Sequence, residues 1–208
     1  IQLTVDRISS LVEPEDIYIS TNTNYVDIVR DQLPQIPAEN ILAEPIPRNT
    51  APCIGFAASI ISRKYDDAVM MVLPSDHLIR NTEIYLDTLN TAIEVAAEGD
   101  NLVTIGITPT YPETGYGYIQ ANRQTPVSNQ VYPIIRFVEK PDRETAETYL
   151  AQGDYYWNSG MFLLRAGTWL AAMEEFQPVM LNSCVNAFDR GNHEFEFLRL
   201  DRETFSSC

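Results

Sequence analysis

The chain has 208 residues, 45% of them apolar, which suits one domain, or one domain with a small appendage, around a real core. A formal charge of −15, with 14 Lys and Arg against 29 Asp and Glu, excludes nucleic acid and anionic membranes as expected partners. A small anionic ligand would need local help from a metal, a helix N-terminus or one placed cation, and the lysines are only Lys64 and Lys140.

The opening IQLTVDRISSLV is amphipathic and predicts a helix. DIYIS (16–20) reads as a strand, YVDIVRDQL (25–33) as a helix stopped by Pro34, and NILAE (40–44) as a short strand. TAPCIGFAASIISRKY (50–65) carries Ile54, Ala57, Ala58 and Ile61 at helical spacing. AVMMVLP (68–74) is a continuous apolar run of strand length, predicting a central strand covered on both faces. EIYLDTLNTAIEVAAEG (83–99) predicts a helix ending at Gly99, and NLVTIGI (101–107) another buried strand. This alternation predicts an α/β fold of Rossmann-like type, with a mixed, mostly parallel central sheet and helices on both faces.

After residue 107 the pattern changes. GYGYIQA, VYPIIRFVEK and GMFLLRA read as strands, with one short helix, DRETAETYLAQG, before the last. From Gly167 onward the chain reads as mainly helical. No internal repeat or low-complexity segment interrupts it.

Cys53, Cys184 and Cys208 lack the spacing of a zinc site, and His77 and His193 stand alone, so no structural zinc is expected. Such thiols fit a reducing compartment and predict a cytoplasmic setting. No apolar run is long enough to span a bilayer. The start at Ile1, inside an amphipathic pattern, predicts a piece excised from a longer protein.

Five stretches carry candidate chemistry. In EPIPRNTAPCIGFAA (44–58), Asn49 suits a helix N-cap and Pro52 the first turn. The segment is either a stiff strand-to-helix turn or a pre-shaped pocket for a base or phosphate at a helix N-terminus. VLPSDH puts Asp76 beyond the carboxyl end of a strand, where ligands of open α/β sheets bind; it is either a hard-cation ligand or a cap. ETGYGYI offers Gly115 and Gly117 for close approach of a ligand, or for a bulge. FVEKP places Glu139 and Lys140 at a strand end, able to meet sugar hydroxyls and a phosphate, or only solvent. YYWNSGMFLL holds Asn158, which either binds a hydroxyl or shapes a turn.

The order EPxPRNTAP, LPSDH, ETGYGYI, FVEKP, WNSGMF resembles the sugar-1-phosphate nucleotidyltransferases and, within them, the guanylyltransferases that act on mannose 1-phosphate. RNTAP and WNSGMF are the specific part; SDH and EKP are shared more widely. The resemblance covers nearly the whole chain, so residues 1–208 are expected to form one partial nucleotidyltransferase catalytic domain. It implies transfer of GMP from GTP to mannose 1-phosphate, giving GDP-mannose and pyrophosphate, with Mg²⁺ as cofactor. It implies that Glu44, Pro45, Asn49 and Thr50, with Arg48 of the same motif, line the guanine pocket. It also implies that Asp76 binds Mg²⁺, that Gly117, Glu139 and Asn158 contact the sugar, and that Lys140 lies near its phosphate. A homo-oligomer stays open. So do a glucose-1-phosphate nucleotidyltransferase and a non-catalytic homologue that senses a nucleotide sugar. The family's glycine-rich GGxGTRLxPLS-type loop and its IDY-type aspartate have no counterpart here, so these 208 residues alone are expected to be inactive.

Overall fold

The structure, a computed structural model, describes residues 1–206 other than 129, 195, 196 and 200, and for 192–194 and 197–199 the backbone alone. Cys208 and the side chain of His193 lie outside the described residues. The chain forms two compact units, one of Ile1–Leu102 with Leu163–Cys208 and one of Val103–Phe162.

The first unit contains α1 (Gln2–Ile8), β1 (Ile19–Asn22), α2 (Val26–Gln32), β2 (Ile41–Glu44), α3 (Thr50–Lys64), β3 (Val69–Val72) and α4 (Thr82–Ala97). The second holds β4 (Leu102–Ile107) from Val103 on, β5 (Gly117–Ala121), β6 (Ile134–Glu139), α5 (Arg143–Gln152) and most of β7 (Tyr155–Arg165). The chain then returns to the first unit as α6 (Ala166–Phe176), α7 (Pro178–Asp189), β8 (Asn192–Glu194), β9 (Phe197–Arg199) and α8 (Arg202–Phe205).

β1 and β2 pair in parallel with Ile19 opposite Ile41, and β9 adds to β2 in parallel with Arg199 opposite Ala43. β2 is buried along its whole length, so its apolar ILA run is what a strand covered on both faces requires. Leu42, Phe56, Ala187 and Phe205 form a core here, with Phe188 tilted against the Phe56 ring at 6.3 Å and Phe205 edge-on to it at 6.4 Å. α3 packs closely on α6: a Cβ at Gly55 would stand 2.6 Å from the Met173 sulfur. Arg63 and Lys64 occupy its last turn, where cations suit the helix dipole.

Two burial expectations are corrected. β3 ends its sheet order, beside β7, and of its four residues only Met70 is buried, so AVMMVLP is neither central nor covered on both faces among the described residues. A cavity of about 760 Å³ lies against it, walled by β1 and β3 and by residues of α1 and α3. NLVTIGI forms β4 as expected, but both its ends are exposed. An apolar run sets a strand's affinity for cover, whereas the strand's neighbours decide whether cover arrives.

In the second unit β5 pairs antiparallel with β6 and with β7, so the sheet is mixed rather than parallel throughout. Tyr118, Ala146, Tyr149, Tyr155 and Trp157 form its core, with Tyr149 and Tyr155 stacked at 3.8 Å. Asp142 caps α5 by accepting the Thr145 N–H at 2.8 Å, and left-handed Gly153 (φ 75) ends that helix. The stretch YYWNSGMFLL, part of which allowed a turn, runs as one strand, β7. The tail expected to be helical also contributes β8 and β9.

Candidate active site

In the first unit the predicted nucleotide-side residues sit where β2 passes into α3. Glu44, the last residue of β2, is buried and its carboxylate accepts the Ser20 hydroxyl at 2.7 Å. Cys53, one turn into α3, shares this corner. Burial pushes its thiol up to about 11; a hydrogen bond with Ser20 opposes the rise and the Glu44 charge adds to it. Ser20 and Cys53 both face the cavity.

Pro45 is half-buried, while Arg48, Asn49 and Thr50 are exposed. The Arg48 guanidinium donates to the Ser206 carbonyl, tying this segment to the C-terminal turn. Asn49 takes the N-cap position of α3 with extended backbone (φ −69, ψ 174), but its side chain makes no capping bond. The expected cap is therefore positional only. Asp76 lies in the turn four residues past β3, exposed, with no hydrogen bond or ion pair to the described residues.

A single exposed carboxylate is a hard oxygen donor of the kind Mg²⁺ takes, with water and phosphate oxygens completing its shell. No cluster of three or more acidic, His or Cys side chains among the described residues could enclose a metal. The donor set thus fits Mg²⁺ carried together with a phosphate ligand and does not fit an all-protein cage.

In the second unit three predicted sugar-side residues come together. Gly117 stands opposite Glu139 in the β5–β6 ladder, and a Cβ at Gly117 would lie 2.8 Å from the Glu139 carboxylate. Glycine is what lets that carboxylate fold over the strand. The Lys140 ammonium is 3.4 Å from the same carboxylate, and both side chains remain largely exposed, at 64% and 60%. Screening by water makes this pair weak as a stabilising contact.

Lys140 has a positive φ of 45, a left-handed conformation that costs a side-chain-bearing residue about 1–2 kcal/mol. Such strain tends to persist where surrounding structure enforces it, often at functional positions. Asn158 is placed on the opposite face of β7 from buried Trp157. Its carboxamide oxygen accepts from the Thr104 hydroxyl and the Gly160 N–H, both at 3.2 Å, which turns the amide group to one orientation.

Sequence reasoning missed three members of this neighbourhood. Thr104 orients Asn158. Glu113 ties its own loop by accepting the Gly115 N–H at 2.8 Å, which holds its carboxyl below the usual carboxylate range. Trp157 takes the rings of Tyr111 and Tyr116 edge-on at 5.0 and 5.4 Å, and its buried indole N–H has no partner among the described residues. The crowding of aromatic residues in TYPETGYGY and YYW was the available signal.

The nucleotidyl transferase family model matches residues 1–202. The chain is 44% identical over 214 aligned positions to a mannose-1-phosphate guanylyltransferase of Klebsiella pneumoniae, covering all of this chain and 44% of that protein. It is 44% identical over 191 positions to the xanthan biosynthesis protein XanB of Xanthomonas campestris, covering 91% of this chain and 40% of that protein. The chain thus spans less than half the length of these curated relatives. Among solved structures, a Helicobacter pylori mannose-6-phosphate isomerase superposes with TM-score 0.83 at 28% identity, over 99% of this chain and 78% of that one. A Thermus thermophilus protein described as a mannose-1-phosphate geranyltransferase superposes with TM-score 0.80 at 28% identity, over 98% of this chain and 56% of that one. With the α/β architecture matching these structures and the family model spanning almost every residue, the chain belongs to the nucleotidyl transferase family.

Proposed function

We propose that the full-length protein transfers GMP from GTP to mannose 1-phosphate, giving GDP-mannose and pyrophosphate. The observation that carries the reading is the grouping of Gly117, Glu139 and Lys140, a carboxylate and a cation at one strand end, in a chain 44% identical throughout to a mannose-1-phosphate guanylyltransferase. Glu139 would accept from sugar hydroxyls, and Asn158, its oxygen already occupied, would offer its amide N–H groups. The Lys140 ammonium would hold the sugar phosphate as a point charge.

On the nucleotide side, Glu44, Pro45, Asn49 and Thr50 would meet guanine, with Arg48 bracing their segment through its bond to Ser206. A phosphate oxygen of mannose 1-phosphate attacks the α-phosphorus of GTP in line, the bond to the β-phosphate breaks, and pyrophosphate leaves. Positioning and charge neutralisation suffice, and no protein nucleophile is required. Mg²⁺, held by Asp76 and phosphate oxygens, would supply positive charge at the reacting phosphates. A cytoplasmic setting, with its reducing thiol pool, suits an unpaired Cys53.

The test is GDP-mannose formation by the full-length protein, with GTP, UTP and dTTP each offered alongside mannose 1-phosphate and glucose 1-phosphate. Preference for GTP with mannose 1-phosphate supports the proposal. Equal or better turnover of glucose 1-phosphate with UTP or dTTP rejects it.

A further inference from the structure

The left-handed turn at Lys140 is reached by a chain of contacts that begins in the core of the second unit. The Lys140 N–H donates to the Tyr116 carbonyl at 3.2 Å. The Tyr116 ring stands edge-on to Trp157, centroids 5.4 Å apart and planes at 79°. Trp157 is buried and pairs across the ladder with Tyr118, which is fully buried. The loop between Tyr111 and Tyr116 is tied within itself. The Glu113 N–H donates to the Tyr111 carbonyl at 3.0 Å, and the Tyr118 hydroxyl donates to the Glu113 carbonyl at 2.8 Å. Its other end, Tyr111, rests on the same indole.

One long hydrogen bond is a weak hold on a strained residue unless its acceptor is itself fixed. Here the acceptor lies one residue beyond the Gly117–Glu139 end of the β5–β6 ladder, and its own ring rests on the indole. We propose that Trp157, acting through Tyr116, is a positioning residue for Lys140: the aromatic contact fixes the Tyr116 carbonyl, the carbonyl fixes the left-handed turn, and the turn aims the ammonium at the sugar phosphate. This inference rests on the reading of Lys140 as the phosphate contact. It separates Trp157 from an ordinary core residue, whose loss would weaken the fold without favouring one substrate over the other.

The test is steady-state kinetics of the full-length protein, with mannose 1-phosphate and GTP varied in turn. Trp157→Leu should raise the KM for mannose 1-phosphate about tenfold and leave that for GTP within about twofold. Trp157→Phe keeps an aromatic ring under Tyr116 and should restore most of the loss. Tyr116→Leu removes the brace at a half-exposed position, so it should fold and show the same split even where Trp157→Leu does not fold. In a Lys140→Met background, Trp157→Leu should add less than about threefold, because both changes disable one device. A full further tenfold loss in that background, or an equal rise in both KM values, overturns the proposal. A wild-type KM in Lys140→Met places the error in the reading of Lys140 itself and removes the proposal with it. A normal Lys140→Met defect beside an unaffected Tyr116→Leu overturns the brace alone.

Discussion

Gly117→Ala adds one methyl group at the point where β5 passes under Glu139. The new Cβ would stand 2.8 Å from the Glu139 carboxylate oxygen and 3.1 Å from a Phe137 ring carbon. Ordinary contact distances begin near about 3.5 Å, so the carboxylate has to retreat by roughly 0.7 Å. Glu139 is 60% exposed and can swing outward, so the strand need not move. Alanine also recovers about 0.4–1 kcal/mol by restricting the unfolded chain, which leaves the net change in stability near zero. The function should suffer instead. A hydrogen bond between a carboxylate and a sugar hydroxyl is worth about 1.5–3 kcal/mol, so losing it raises the KM for mannose 1-phosphate roughly ten- to 150-fold. The assay pairs that KM, at saturating GTP, with a melting temperature. Unchanged KM at unchanged melting temperature would refute the reasoning. So would a fall in melting temperature of more than about 5 °C with both substrates affected alike, since that would place Gly117 in the stability of the fold rather than in the site.

Asp76→Asn should raise the Mg²⁺ concentration needed for half-maximal turnover by about tenfold or more, because it removes a ligand charge from an exposed carboxylate that has no partner among the described residues. Its melting temperature should not move, and wild-type Mg²⁺ dependence would reject the metal role. Gly106→Ala should destabilise by about 1–3 kcal/mol in urea unfolding, because its Cβ would meet the Cβ of Tyr156 at 2.8 Å, and a side-chain stem cannot swing aside. An unchanged midpoint would mean that β4 and β7 do not approach so closely. Cys53, its thiol pushed up to about 11, should hold only about a thousandth of its population as thiolate at pH 8. Its alkylation by iodoacetamide, followed by peptide mass spectrometry, should be at least about 100-fold slower than in the denatured chain, and equal rates would refute the burial of that thiol.

Local chemistry made some elements legible. α5 could be read from its ends, because Asp142 and Gly153 do their work within a few residues of where they stand. Pro34 marked the end of α2 for the same reason. β9 could not be read this way. Its pairing with Ala43 joins residues far apart in sequence, and no window of the tail contains that information. The incomplete burial of β3 was hidden by the same limit, since VMMV reads alike with a neighbour on both sides or on one. At the site, the order of the motifs pointed to Asp76, Gly117, Glu139 and Lys140, and the structure groups the last three. The left-handed turn at Lys140 had no sign in the sequence, since the following Pro141 favours extended backbone at the residue before it. The place of Trp157 depends on two rings arriving from a loop, and the aromatic crowding of YYW signals a cluster without saying which rings meet.

The parallel pairing of β2 with β9 has a consequence for how the molecule is made. Leu42 and Phe56 are made well over a hundred residues before Phe205, which closes the core they belong to, and β2 gains β9 only once Arg199 has been added. The β5–β6 and β5–β7 ladders, by contrast, find all their partners within residues 103–162. Contacts of short sequence separation form faster, so the later-starting second unit can be ordered while the first still waits for β9. During that interval the apolar face of β2 and the Phe56 side of α3 stand uncovered in the nascent chain. Exposed apolar surface of this kind makes a partly made chain prone to misassociation until residues 197–205 have been added.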